Sequence, residues 1–175
     1  MVIGRASRES PSEVFLGSPH PVGHLWLVRH ELLPDRVALS GRQFGRLLGL
    51  REALRALFQA YDGRARPAEA DLDTLNSALA AAPSTPRLAW TAEGPRRADE
   101  PDAANPAAAA LSLLAEDATD LLTGSEAARL TPCAAQGCAR WFLRSHGARR
   151  WCTTQCGNRV RAARAYAAKR ADRRG

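Results

Sequence analysis

Cys133, Cys138, Cys152 and Cys156 are all the thiols the chain has, and they fall in two close pairs, CAAQGC and CTTQC, with thirteen residues between them. Thiolates are soft ligands, and two short-spaced pairs let one tetrahedral ion be gripped from two sides. Four sulfurs on one zinc leave no coordination position for water, so the pattern points to one structural Zn2+ rather than a catalytic ion. Paired disulfides are the other use of these residues, and they suit an oxidising compartment. MVIGRASRES is polar after its third residue and does not resemble a secretion signal, and the longest apolar run, AAAALSLLA at 107–115, is too short to cross a bilayer. The expectation is a cytoplasmic protein without a membrane contact, whose reduced thiols bind metal.

The residues around the ligands indicate what must hold them. Gly137 precedes the second ligand, where the backbone needs freedom to wrap an ion. Cys152 and Cys156 are four apart, which puts both sulfurs on one face at the start of a helix, with Thr153 placed as its cap. A helix N-terminus also favours the charged thiolate. Between the pairs, Trp141, Phe142 and Trp151 supply a miniature core around the metal or stack on bases, with core the expectation for at least two of them. His146 is the one nearby alternative ligand, better suited to solvent or phosphate. Past Cys156, Val160, Ala163 and Ala167 share its helix face and are expected to pack inward. So short a module has no pocket without its ion, and roughly 10–16 kcal/mol of metal binding becomes its folding energy.

Charge is distributed unevenly. The formal net charge is +7, yet residues 133–175 alone hold ten arginines, Lys169 and one acid, Asp172, for +10, which leaves −3 on everything before them. A mildly acidic body with a strongly basic end suits a protein that meets a polyanion through one end.

The preceding part of the chain reads as mainly helical with at most a small β element. Residues 1–24 contain three prolines and no sustained period and are expected to be a poorly ordered lead-in, with His20 and His24 a loop pair rather than a metal site. LWLVRHELL at 25–33 fits a strand or a short helix. Ser40 and Gln43 form a capping box with Leu39 and Phe44 as staple, and Phe44, Leu47, Leu48, Leu54, Leu57, Phe58 and Tyr61 then follow one helical face to a stop at Gly63. A second helix follows Pro67, with Leu72, Leu75 and Leu79 inward until Pro83. RLAWTAEG at 87–94 alternates as a strand or hairpin arm, and GPRRADEPDAANP reads as a polar connection. Asn105 and Pro106 open a third helix with Leu111, Leu114, Ala118, Leu121 and Leu122 inside; its acids Glu116, Asp117 and Asp120 read as a solvated face. No Gly-rich phosphate loop, G-x-S-x-G or H-E-x-x-H motif occurs, so an enzyme is not expected.

Arg149, Arg150, Trp151 and Cys152, followed by Cys156, Gly157, Asn158 and Arg159, resemble the signature of the CGNR zinc-finger family. Members of that family join a mostly helical N-terminal domain, called ABATE, to this C-terminal finger, and are regarded as stress-induced transcription regulators of bacteria. The resemblance implies an ABATE-like domain over 25–130 and a finger over 131–175 ending in a basic helix. Duplex DNA is then the expected partner, gripped through phosphates by Arg144, Arg149, Arg150, Arg164, Lys169 and Arg170, with Asn158 beside them and Arg159 and Arg161 reaching base edges. A single finger is a small reader, so a homodimer is expected, and the body is the place for self-association or a small-molecule effector. Other uses of the same module are recognition of RNA or of a protein, and a redox switch that ejects zinc when its thiolates oxidise.

Overall fold

The computed structural model describes residues 23–100, 102 and 104–173. Most of the lead-in at 1–24, with His20, lies outside them. Gly23 and His24 belong to α1 (Gly23–Arg29), which settles LWLVRHELL as the helical alternative. His24 is therefore not in a loop: its Nε2 lies 2.8 Å from the Val37 carbonyl oxygen, tying α1 to the segment that leads into α2. Trp26 and Leu27 of α1 are buried, as are Leu32 and Leu33 beyond it.

Helix α2 (Gly41–Asp62) begins as its capping box dictates, with Ser40 Oγ accepting from Gln43 N and Gln43 Oε1 accepting from Ser40 N. Its buried stripe is Leu47, Leu50, Ala53, Leu54, Leu57 and Phe58, while Tyr61 at the end of the expected stripe is exposed. Gly63 stops the helix with φ −76°, and it is the next residue, Arg64, that takes the left-handed conformation at φ 51°. That reversal lets Ala65 N donate to Ala60 O at 2.8 Å and satisfies a carbonyl left over at the helix end.

Helix α3 (Glu69–Leu79) packs on α2 through Leu75 and Ala78, with Leu72 and Leu79 half-buried beside them. Helix α4 (Pro106–Thr123) closes the core against both. Asn105 caps it by accepting from Ala108 N, and Leu111, Leu114, Ala118 and Leu121 are buried as their spacing requires. Gly124 ends it where a Cβ would stand 2.6 Å from the Asp120 carbonyl oxygen. Ser112, a buried polar residue in this apolar face, donates toward the carbonyls of Ala78 and Leu79, each at 2.9 Å. It thereby adds a side-chain donor at the end of α3, where the Ala78 carbonyl also accepts from Ala81 N at 3.2 Å. Glu116 is half-buried and receives Ser84 Oγ at 3.4 Å, so the acids of α4 are not uniformly solvated.

Between α3 and α4 stands a two-stranded antiparallel hairpin, β1 (Thr85–Thr91) and β2 (Gly94–Glu100), turning through Ala92 and Glu93 with Gly94 at φ 114°. The expected strand is present, but GPRRADE is its partner rather than a connection. Its side chains show no apolar alternation because neither face of this ribbon is a core face: Leu88 and Trp90 are 75% and 77% exposed. A 3-10 turn (Ala127–Arg129) then leads into a second small antiparallel pair, β3 (Leu130–Pro132) with β4 (Trp141–Leu143), and the chain ends in α5 (Thr154–Asp172). No helix among the described residues is long and apolar enough to cross a membrane.

Candidate metal centre and basic helix

The two cysteine pairs converge at the β3–β4 hairpin. Cys133 follows β3, and its N–H donates to Arg140 O across the loop at 2.9 Å. Gly137, at φ 72°, turns the chain so that Cys138 faces back toward Cys133. On the other side, Thr153 caps α5 by accepting from Cys156 N, which sets Cys152 just before the helix and Cys156 in its first turn. Ala134 N donates to Arg150 O at 3.0 Å and Cys152 N approaches Cys133 Sγ at 3.4 Å, so main-chain contacts join the two pairs.

The four sulfurs form one close cluster. Cys138 and Cys152 are 3.8 Å apart, Cys152 and Cys156 3.6 Å, Cys156 and Cys138 3.8 Å, and all four sulfurs lie within 4.8 Å of one another. A zinc bonded to sulfur at about 2.3 Å needs tetrahedral edges of about 3.8 Å. These distances fit that ion, and all four cysteines are free of disulfides. The cluster is the site of one structural zinc. Cys133 and Cys152 are buried with Ala135 and Phe142 in a small core that Trp151 and Val160 border. Burial pushes the Cys152 thiol far above its usual range and raises Cys138 as well. At Cys156 burial acts in the same direction but is outweighed by hydrogen bonds led by that of Thr153, and its thiol titrates below the usual range. His146 is exposed and is not among the ligands that come together.

Of the three aromatics between the pairs, Phe142 belongs to the metal core and Trp151 borders it, whereas Trp141 is buried in the main core of the body, edge-on to Phe58. The glycine and asparagine after Cys156 are explained by packing around Trp151. A Cβ on Gly157 would stand 3.1 Å from Trp151 Cε3, and the Arg161 guanidinium lies over the same indole, 5.7 Å from its centroid. Asn158 Oδ1 accepts from Arg161 Nη2 at 2.6 Å and fixes that stack. The spacing bears no sign of this contact between Gly157, Trp151 and Arg161, although a glycine placed directly after a ligand is the kind of residue that marks a close approach.

The basic residues separate into two groups. Arg149 donates to three main-chain carbonyls and lies over Phe142, Arg159 reaches Gln136 O, and Arg161 is held as described. Arg144 is exposed, with Nη2 3.1 Å from Thr131 Oγ1. Arg150 is exposed beside the metal loop. Arg164, Lys169 and Arg170 are exposed on α5, Arg170 over the Tyr166 ring at 5.9 Å. Val160 meets the metal core, but Ala163 and Ala167 do not pack inward: every residue from Arg161 to Arg173 is exposed. The finger spans only the first two turns of α5, and the remaining twelve residues, about 18 Å at 1.5 Å per residue, project beyond it.

A helical body bearing a four-cysteine module with a projecting basic helix defines a zinc-finger protein. The chain belongs to the ABATE family, described as "Putative stress-induced transcription regulator", whose model matches residues 16–125. Residues 129–169 match the CGNR zinc finger. No curated protein gives a significant match.

Proposed function

We propose that this protein is a bacterial, cytoplasmic DNA-binding transcription regulator that acts by contact and not by catalysis. The observation that carries this reading is the projecting part of α5, which covers no protein surface among the described residues and displays Arg164, Lys169 and Arg170 around its circumference. An isolated helix about as wide as the major groove, rich in cations and in alanine that sustains helicity without packing, suits insertion between phosphate backbones. Arg144 and Arg150 on the finger add phosphate contacts at its base. Arg159 and Arg161, the residues expected at base edges, are engaged within the finger, so base contacts fall to the projecting turns.

The body is assigned to self-association or to binding a small effector. Self-association is supported by the β1–β2 hairpin, where Leu88 and Trp90 are exposed together on one face. Pro86 and Pro95 each remove a donor from their strand, which discourages edge pairing and leaves the face as the contact.

Titration of the zinc-loaded chain against random duplex DNA at several salt concentrations tests the assignment. Neutralising about four to six phosphates gives a slope of log K against log salt of roughly −4 to −5. The double variant Arg164→Ala/Lys169→Ala is expected to make it shallower by about two while zinc binding is unchanged. Weak, salt-independent binding would point to a protein partner, and displacement of duplex DNA by an equal concentration of structured RNA would point to RNA.

A further inference from the structure

The basic residues nearest the metal are occupied by the protein itself. Arg149 Nη2 donates to Cys152 O at 2.6 Å, its Nε to Trp151 O at 3.3 Å and its Nη1 toward Leu143 O at 3.5 Å. Its Cζ stands 4.7 Å from the centroid of Phe142, which is 2% exposed in the metal core. One planar guanidinium thus joins β4 to the second cysteine pair and covers the aromatic floor beneath them. Arg159 acts from the other side. It leaves α5 one turn after Cys156, and its Nη2 reaches the main-chain oxygen of Gln136, inside the loop of the first pair, at 3.3 Å, and Cys156 Sγ at 3.9 Å.

We propose that Arg149 and Arg159 are positioning residues of the zinc centre: they brace the two cysteine pairs against each other and offset the charge of the four-thiolate site, and they are not nucleic-acid contacts. Four thiolates around one Zn2+ carry a formal charge of −2, held in a partly buried pocket where that charge is costly unless compensated. Two guanidiniums bring the local sum to zero. The carbonyls they take are those that fix the ligand loops, so each arginine orients ligands through the backbone, as outer-shell groups do at other metal sites. Lysine cannot substitute at Arg149, because a single ammonium has no rigid fork to reach three carbonyls while stacking on a ring. The inference concerns the metal site alone and stands whether or not the protein binds DNA.

The test uses the full chain. Zinc affinity is measured by competition with a chromophoric chelator, ligand geometry by the visible spectrum of the cobalt-substituted protein, and DNA binding by salt titration. Arg149→Ala and Arg149→Lys are expected to weaken zinc about 10–100-fold and to alter the cobalt bands, even though the lysine variant keeps the charge that a phosphate contact would need. Arg159→Gln is expected to weaken zinc in the same direction. Arg150→Ala, which removes an exposed charge next door, should leave zinc affinity and the cobalt spectrum unchanged. If Arg149→Ala fails to fold, Arg149→Lys and Arg159→Gln still decide. Zinc affinity within twofold of the parent in these variants, with unaltered cobalt bands, would overturn the proposal, as would an Arg149→Lys variant indistinguishable from the parent in every readout.

Discussion

Trp141 meets Phe58 edge-on, with ring centroids 5.7 Å apart and planes at 71°. One ring lies between the two cysteine pairs and the other is wholly buried in α2, so the strand that frames the metal is anchored in the core of the helical body. The metal core and the body core therefore meet on β4, where Phe142 enters one and Trp141 the other. The pair contributes its buried area and an edge-to-face term of about 0.5–1.5 kcal/mol.

Trp141→Ala is expected to cost about 3–5 kcal/mol and to lower both the helical melt and zinc affinity. Circular dichroism and metal competition on the same variant check it. A loss confined to zinc would mean that the Phe58 contact does not couple the two parts.

Zinc removal follows the same route. Chelation should disorder the finger and lower the melting temperature of the helices that remain, because β4 no longer holds Trp141 in place. Cys138→Ser and Cys152→Ser should reproduce that shift. A helical melt unmoved by chelation would show the body to be independent of the metal.

Proton competition gives the metal site a pH dependence of definite sign. Burial raises the thiols of Cys138 and Cys152, so in the metal-free finger both are protonated at neutral pH, while Cys156 is the more readily ionised. Zinc must displace those protons, and its apparent affinity should fall as pH falls. Calorimetry in buffers of different ionisation heat should register proton release on loading; no release would contradict the assignment.

Two glycines predict opposite outcomes. Gly157→Ala forces a methyl against Trp151 and should reduce stability and zinc affinity together, whereas Gly45→Ala, exposed within α2 with nothing within 4 Å of the new Cβ, should stabilise by about 0.5–1 kcal/mol. Thermal melts of the two variants separate steric need from helix propensity.

Ser112→Ala removes the side-chain donor of the Ala78 and Leu79 carbonyls inside the core and should cost about 0.5–1.5 kcal/mol, because the Ala78 carbonyl keeps Ala81 N. Denaturant unfolding measures it. A neutral result would mean that those carbonyls have adequate partners in the end of α3 itself.

The features legible in the order of the amino acids alone are local in origin. Ligand type and spacing define the metal site, because a tetrahedral ion needs little more than two short turns. Ser40 with Gln43, Asn105 with Ala108, and Thr153 with Cys156 set helix starts through hydrogen bonds that reach only three residues. Features that depend on a distant partner emerge only in the folded chain. GPRRADE becomes a strand because β1 lies beside it, and its own residues carry no alternation. Ala163 and Ala167 have the period of a packed face, but periodicity does not say whether anything stands opposite, and past Val160 nothing among the described residues does. Arginine has the same charge wherever it occurs, so Arg149 and Arg159 look like phosphate ligands until the carbonyls of Leu143, Trp151, Cys152 and Gln136 are seen to converge on them. Trp141 and Phe142 are neighbours in sequence with opposite faces on a strand, and only the position of Phe58 shows that one of the two belongs to the body.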